Sequence, residues 1–109
     1  MFLSPLAFEI ATRHLREFPD EADRYGEAGF EWCVHDVKYL LWWAALDPRA
    51  LLLREQLRWL VRVLESREYP RDRLARALDI SADVVLERHT EDGVDIAAAL
   101  RSGAESLRH

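Results

Sequence analysis

The sequence contains few of the residues that break or cross-link a chain. It has four glycines, four prolines and one cysteine in 109 residues. So few glycines and prolines leave little room for the frequent turns of an all-β fold. A single cysteine excludes an intrachain disulfide, which is typical of a protein in a reducing cytosol. These shortages predict a single all-α domain over residues 1–109, located in the cytoplasm.

Long apolar runs are also missing. The most apolar stretch is interrupted by Glu31, Asp36 and Lys38, so it is too broken to span a membrane. Met1-Phe2-Leu3 leads directly into Ser4-Pro5, without the basic region and long apolar core of a signal peptide. The formal net charge of −5 argues against general nucleic-acid binding. We therefore expect no membrane span, no secretory leader and no nucleic-acid partner.

What the sequence does contain is one aromatic stretch, Phe30–Leu46, which reads FEWCVHDVKYLLWWAAL. It holds three of the four tryptophans and the only cysteine. Residues three and four apart share a face of an α-helix, and this stretch is apolar on most sides in its second half. Such a helix is expected to be surrounded by other helices, so we predict the central helix of a bundle. One of its faces carries Trp32, Asp36, Tyr39 and Trp43, and another carries Phe30, Val34, Val37, Leu41 and Ala44.

Two further helical segments are predicted before this stretch. Ser4 is typical of an N-cap with Pro5 at the first helical position, and this first helix should run to about Phe18. Asp20 can cap the next segment, in which Gly26 and Gly29 weaken the helix. Two alternatives follow: a short helix, a break and then the central helix, or one long helix with a soft point. The predicted inward stripe of the first helix is Phe8, Ala11, Leu15 and Phe18.

Three helical segments follow. Asp47-Pro48 is expected to cap and open a third helix that runs to about Ser66. Pro70 or Arg71 opens a fourth helix that continues to near Arg88. Thr90 is a possible cap for a last helix, whose end should fray at Gly103. The predicted buried positions are Ala50, Leu53, Leu57, Leu60, Val61 and Leu64 in the third helix, Leu74, Ala77, Leu78, Ser81, Val84 and Val85 in the fourth, and Val94, Ala97, Leu100, Ala104 and Leu107 in the last.

Cys33, His35 and Asp36 are the candidates for chemistry in the central stretch. A metal site needs three or four converging ligands. Cys33 and His35 lie two residues apart, on different helix faces, and no second cluster of such ligands follows. A cysteine nucleophile needs a base near it in space; His14 and His89 are the candidates, but nothing in the sequence places either beside Cys33. We expect no metal site and no catalytic residue, and we interpret Cys33 as a small buried apolar residue.

Asp36 has two interpretations. An unpaired buried charge is costly, so this carboxylate is expected to pair with an arginine of the third or fourth helix. Alternatively, it contacts a ligand in an aromatic-lined pocket. The candidate ligand-binding residues are Trp32, Asp36, Tyr39 and Trp43.

The tryptophans also suggest an interaction surface. Trp42 and Trp43 are adjacent and point about 100° apart around a helix. Both cannot face the same neighbour, so one should meet a partner, a ligand or the domain edge. Trp59 lies off the apolar stripe of the third helix and should contact a further helix or a partner chain. The candidate interaction residues are Trp42, Trp59, Arg58 and Arg62.

Charge is distributed unevenly along the chain. Residues 20–36 contain six acids and one arginine, whereas residues 49–76 contain eight arginines and four acids. One interpretation is two solvated faces with local pairs, such as Glu55 with Arg58 and Arg62 with Glu65. The other is complementary surfaces that dock subunits or a partner.

The run from Cys33 to about Val85 resembles the small helical module that precedes the cobalamin-binding domain in some bacterial sensory and regulatory proteins. Leu40 stands where that family has a histidine, so a tetrapyrrole contact does not carry over at this position. The chain also has no α/β domain that would hold a corrinoid. The resemblance implies a stand-alone regulatory or docking form of a helical bundle. The matching pieces are Cys33-Val34-His35-Asp36, Leu40-Leu41, Ala44-Ala45-Leu46, Asp47-Pro48-Arg49-Ala50-Leu51-Leu52, Leu57-Arg58-Trp59-Leu60, Leu64-Glu65-Ser66-Arg67 and Tyr69-Pro70.

The sequence thus predicts a compact all-α bundle of four main helices plus a C-terminal helix. Our first hypothesis is a non-enzymatic regulatory or protein-interaction module that forms a homodimer. The alternative is a sensor domain that binds a flat, tetrapyrrole-like ligand between helices. An enzyme is not expected, because no acid–base pair, nucleophile elbow or phosphate-binding loop is present.

Overall fold

The computed structural model describes residues 3–47 and 49–108, and this part of the chain forms five α-helices without a strand. They are α1 (Leu3–Glu17), α2 (Pro19–Leu46), α3 (Leu51–Ser66), α4 (Arg71–Arg88) and α5 (Val94–Leu107). The predicted all-α class, with four main helices and a C-terminal one, is confirmed. Within these residues, no helix combines the length and apolarity needed to cross a bilayer.

The core is built around α4, not around the tryptophan-rich helix. α4 and α2 each contact all four other helices, but α4 buries nine residues and α2 buries five. α2 buries Val37, Leu40, Leu41 and Ala44 along one stripe, whereas Trp32 is 58% and Trp42 50% exposed. The helix that contains residues 30–46 therefore reaches every other helix, as expected of a central helix, but the expectation that neighbours wrap it on most sides is wrong. Alanines and a serine on α4 let neighbouring helices approach from several sides, which bulky indole rings would prevent.

The buried face of α1 differs from the predicted stripe. Its buried residues are Leu6, Ala7, Ile10, Ala11 and His14. Phe8 is 59% exposed and packs edge-on against Phe30 at the surface, with ring centroids 5.1 Å apart. The helix begins at Leu3, so Ser4 lies in its first turn and is not the N-cap. Of the predicted stripe, only Ala11 is fully buried, because the apolar face is rotated toward Ile10 and His14.

α2 is broken at Gly26. This residue has φ 63° and ψ −151°, a conformation that glycine adopts and other residues rarely do. Of the two alternatives, the chain forms a short helical segment, a break and then the long segment. The N-cap position is Phe18, with Pro19 at the first helical position. Asp20 is thus not the cap, and its carboxylate accepts a hydrogen bond from Arg73 instead.

The start of α3 also lies later than predicted. Pro48 lies outside the described residues, and the helix begins at Leu51 after Ala50, which has the left-handed φ of 63°. Asp47 still supports the helix start, since its carboxylate accepts the backbone N–H groups of Arg49 at 3.1 Å and Leu52 at 3.3 Å. The predicted stripe is confirmed for Ala50, Leu53, Leu57, Leu60 and Val61, which are buried, and Leu64 is half-buried.

The last two helices follow the predicted pattern, with three corrections. All six predicted positions of α4 are buried. In α5, Val94 is exposed, and the N-cap position is Gly93, not Thr90. Gly103 does not fray the helix end: it is buried, and a Cβ there would lie 2.9 Å from Leu57 Cδ1. Its missing side chain lets α5 approach α3 closely.

Candidate functional site

A cavity of about 130 Å³ lies where α2, α3 and α4 meet. Its walls are leucines, its inner end is polar, and its mouth is bordered by exposed residues of α2 and the end of α3. Helices supply the leucine-lined body, whereas the polar end also includes Tyr69 from the loop between α3 and α4. The walls include Leu40, Leu60, Leu64 and Leu74, the inner end His14, Glu21 and Tyr69, and the mouth Trp32, Asp36 and Arg67.

The polar end is a hydrogen-bonded cluster of three side chains from separate segments. Tyr69 donates its hydroxyl to Glu21 Oε1 at 2.9 Å. His14 Nε2 lies 3.1 Å from Glu21 Oε2 and 3.0 Å from the Tyr69 hydroxyl oxygen. Because an ionised carboxylate only accepts, this arrangement assigns the Nε2 proton as donor. The cluster joins α1, the first turn of α2 and the loop before α4.

Burial and hydrogen bonding act in opposite directions on Glu21. Burial alone raises the pKa of its carboxyl, but hydrogen bonds from His14, Tyr69 and Arg73 outweigh this and hold the pKa below its usual range. Burial and the neighbouring carboxylate raise the pKa of the Tyr69 phenol. The cluster therefore keeps an ionised carboxylate next to a neutral phenol at ordinary pH. Among the described groups, His14 Nδ1 is buried without a hydrogen-bond partner.

Arg73 closes the cluster from α4. Its Nη1 lies 2.7 Å from Asp20 Oδ2 and 3.1 Å from Glu21 Oε2, and its guanidinium lies 4.5 Å from the centroid of the Phe18 ring. Part of the acidic segment 20–36 therefore docks on the arginine-rich segment 49–76 within one chain. At this point, ion pairs between the two oppositely charged segments hold α2 against α4.

Cys33 lies on the cavity wall and is half-buried. Burial, followed by the negative charges of Glu21 and Asp36, raises the pKa of its thiol to about 12. The group is therefore a neutral thiol at neutral pH, although Cys33 is half-buried and not fully buried as predicted. His14 lies on the same cavity, but its Nε2 is already directed to Glu21 and Tyr69.

Asp36 borders the cavity and forms no hydrogen bond or ion pair within the described chain. Its side chain is accessible to solvent, yet loss of hydration against the cavity wall raises the pKa of the carboxyl, with the positive charges of His35 and Arg67 opposing the shift. The predicted ion pair with an arginine is not formed. Arg67, at the end of α3, acts on Asp36 only through its charge, which lowers the pKa of the carboxyl. No ion pair within 4.0 Å joins them in the structure.

A second depression lies between α2 and α3. It has a volume of about 500 Å³, and Asp36, Leu60, Leu64 and Arg67 line both it and the cavity. The rings of Tyr39, Trp43 and Trp59 line it, and Trp42 lies beside Tyr39 with ring centroids 6.2 Å apart. We call Tyr39, Trp42, Trp43 and Trp59 the aromatic face.

The four residues predicted to bind a ligand are divided between these two places. Trp32 and Asp36 line the cavity, whereas Asp36, Tyr39 and Trp43 line the open depression. They lie on one helix as predicted, but they do not form one pocket, because α3 packs against the middle of their face.

The residues predicted for interaction are at the surface. Trp42 is 50% and Trp59 54% exposed, while Trp43 packs against the core. Arg58 and Arg62 are exposed and border a shallow basic cleft with Arg54 and Arg71. The predicted local pairs with Glu55 and Glu65 do not form, since Glu65 pairs with Arg71 at 2.8 Å and no described acid pairs with Arg58 or Arg62.

Sequence reasoning missed the His14, Glu21 and Tyr69 cluster. His14 follows Ile10 by four residues and Ala11 by three, so it lies on the buried face of α1. This spacing could have predicted that His14 is buried. The partners carried no such signal, because Tyr69 is 55 residues away in the chain.

Within residues 3–47 and 49–108, no three histidine, cysteine, aspartate or glutamate side chains are grouped so that they could hold a metal ion. Comparison of the chain with protein-family models, curated proteins and solved structures gives no significant match.

Proposed function

We propose that the protein is a non-enzymatic helical interaction module of the cytoplasm that forms a homodimer through its aromatic face. The observation that carries this proposal is the exposure of Trp42 and Trp59, each about half accessible, beside the depression between α2 and α3. Tryptophan and tyrosine are enriched in protein interfaces, where they supply much of the binding free energy. The resemblance of residues 33–85 to a regulatory helical module points in the same direction.

Charge complementarity supports a second copy of the chain as the partner. Along α2, Glu31, His35, Tyr39 and Trp42 follow one another at helical spacing and are all exposed, so acid and aromatic side chains share one stripe. On α3, Trp59 is exposed next to Arg58 and three residues before Arg62. In a two-fold dimer, the α2 stripe of each copy would contact the α3 surface of the other copy.

These charges are available for such a contact. Glu31, Arg58 and Arg62 form no ion pair within 4.0 Å in the described chain. An acid on α2 of one copy and the arginines on α3 of the other would therefore gain partners without losing internal ones. Such rim charges orient an encounter and set its salt dependence more than they add affinity.

Size-exclusion chromatography with light scattering tests the proposal. The expected mass is twice the 12.7 kDa of one chain, and Trp42→Ser and Trp59→Ser should each shift the protein toward the monomer. Phe8→Ser is the matched control, because Phe8 is an equally exposed aromatic residue on α1, outside the aromatic face. A monomer at all concentrations, or a dimer that survives both tryptophan changes, would overturn the proposal.

A second candidate function is a sensor domain for a flat, tetrapyrrole-like ligand. The observation that favours it is the volume of the depression, about 500 Å³, within the range of small-molecule sites, together with the rings of Tyr39, Trp43 and Trp59. Adding a porphyrin to the purified protein should then shift the visible absorption band of the porphyrin, and Trp43→Ala should abolish the shift. An unchanged band would remove this candidate without affecting the dimer.

A further inference from the structure

We propose that the cavity between α2, α3 and α4 binds a small aryl or alkyl amine. The apolar body of the ligand enters between the leucines of the wall. Its ammonium group remains at the mouth, beside the Asp36 carboxylate and the Trp32 ring. This site adjoins the depression beside the aromatic face and shares Asp36, Leu60, Leu64 and Arg67 with it, but the proposal does not depend on dimer formation.

The body of the cavity fits one ring or a branched alkyl group. Its volume is about 130 Å³, and its walls include Leu40, Leu60 and Leu74, of which Leu40 is fully buried. A dry core cavity of about 150 Å³ accepts a benzene ring. A ligand body much larger than one ring would therefore have to displace the wall.

The mouth of the cavity offers two groups that attract a cation. Trp32 and Asp36 lie one helical turn apart on α2, and both line the cavity. Trp32 is 58% exposed, so a ring face remains open for a cation–π contact. Asp36 has no hydrogen bond or ion pair in the described chain, and a partly desolvated carboxylate without a partner favours a positively charged ligand.

The interior of the cavity is also electrostatically negative. Glu21 is held ionised at the inner end, and its charge acts with that of Asp36 on the thiol between them. After burial, these two carboxylates are the causes that raise the pKa of Cys33. Arg73 offsets part of this charge, but it is shared with Asp20. Arg67 is the remaining cation on the lining, and it competes with the ligand for Asp36.

Isothermal titration calorimetry with three ligands of one shape tests the charge preference. The ligands are 2-phenylethylamine, the neutral 2-phenylethanol and the anionic phenylacetate. We expect the amine to bind at least tenfold more tightly than the alcohol, and the acid to bind more weakly than the alcohol. Equal affinity for amine and alcohol, preference for the acid, or no heat with any of them at millimolar concentration would overturn the proposal.

Variants of the mouth locate the site. Asp36→Asn should reduce amine affinity about tenfold and leave alcohol affinity unchanged, whereas Arg67→Ala should increase amine affinity. Glu31→Gln is the matched control, because it removes an exposed acid from the same helix away from the cavity lining. Ala77→Leu, which fills the cavity from α4 at a residue that does not line the neighbouring depression, should abolish binding of both ligands. Amine binding that persists in both Asp36→Asn and Ala77→Leu would place the ligand elsewhere.

Discussion

Tyr69 donates its hydroxyl to the carboxylate of Glu21 across 2.9 Å, which ties the segment before α4 to the first turn of α2. The same hydroxyl oxygen lies 3.0 Å from His14 Nε2, so one phenol connects two other helical segments. Buried hydrogen-bond clusters of this kind are costly to leave incomplete.

Removing the Tyr69 hydroxyl should destabilise the fold. Tyr69→Phe leaves the carboxylate of Glu21 and the ring of His14 without a shared partner, and we expect a loss of about 1–3 kcal/mol in the free energy of unfolding. Urea denaturation followed by circular dichroism measures it. Tyr25→Phe is the control, because the Tyr25 hydroxyl has no hydrogen bond in the described chain and its removal should cost almost nothing. Equal stability of the two variants would contradict the role of the cluster.

Acid should weaken the protein through Glu21. Its pKa is lowered in the folded state, so the stability that it contributes is present above the unfolded pKa and is lost as pH falls through the folded pKa. Unfolding free energies between pH 6 and pH 3 should therefore decrease with acid. In Glu21→Gln, which cannot ionise, the decrease should be smaller. A variant with an unchanged pH slope would show that other carboxylates, such as Glu17 or Asp20, account for the whole effect.

Cys33 should react slowly with alkylating reagents. With a thiol pKa of about 12, the reactive thiolate is scarce at pH 8, and half-burial limits access further. We expect iodoacetamide to label the folded protein at least tenfold more slowly than the same protein in urea. Mass spectrometry of quenched samples gives both rates. Labelling of the folded protein at the rate of the unfolded chain would show that the cavity wall does not protect the sulfur.

Replacing Gly26 should strain the break in α2. No atom lies within 4 Å of a Cβ placed at this residue, so Gly26→Ala meets no steric clash, but its φ of 63° disfavours a side chain. We expect a loss of about 1–3 kcal/mol in unfolding free energy. Glu27→Ala, one residue later and also exposed, is the control for a change in helix propensity alone. If Gly26→Ala and Glu27→Ala have the same free energy of unfolding, a residue with a side chain adopts the backbone conformation at the break without strain.

Reversing the charge of α3 should weaken the proposed dimer. Arg58→Glu with Arg62→Glu places acids where the arginines would meet Glu31 of the second copy, and we expect at least a tenfold increase in the dimer dissociation constant. Arg16→Glu is the control, because Arg16 is exposed on α1 and lies outside the aromatic face. Analytical ultracentrifugation at low salt measures the constants. An unchanged constant in the double variant would remove these arginines from the interface.

The helices themselves could be predicted from the local spacing of apolar residues. In α3, Leu53, Leu57 and Leu60 recur at helical intervals with charged residues opposite, and they are buried as predicted. The start of α4 at Arg71 likewise follows from Pro70. These features depend on residues within one or two turns, so a single sequence contains the information.

The position of each helix in the bundle could not be predicted from the sequence. Apolar content suggested that neighbours wrap α2, but although α2 and α4 both contact every other helix, the small residues of α4 allow closer packing and more of α4 is buried. The polar end of the cavity shows the same limit. His14 lies on a predictable face, whereas its contacts with Glu21 and Tyr69 arise from the packing of three segments. Predicted ligand residues on one helix face were likewise divided by α3.

Three of the four indole side chains are exposed, at Trp32, Trp42 and Trp59, while the stability of the fold resides in the aliphatic residues around α4. The intrinsic emission of this protein therefore reports mainly on its surface. In the folded monomer its emission maximum should lie closer to that of tryptophan in water than is usual for buried indoles. An indole-based melting curve would consequently show a small amplitude, and a blue shift on raising the concentration would be a direct optical sign that the exposed rings have been covered.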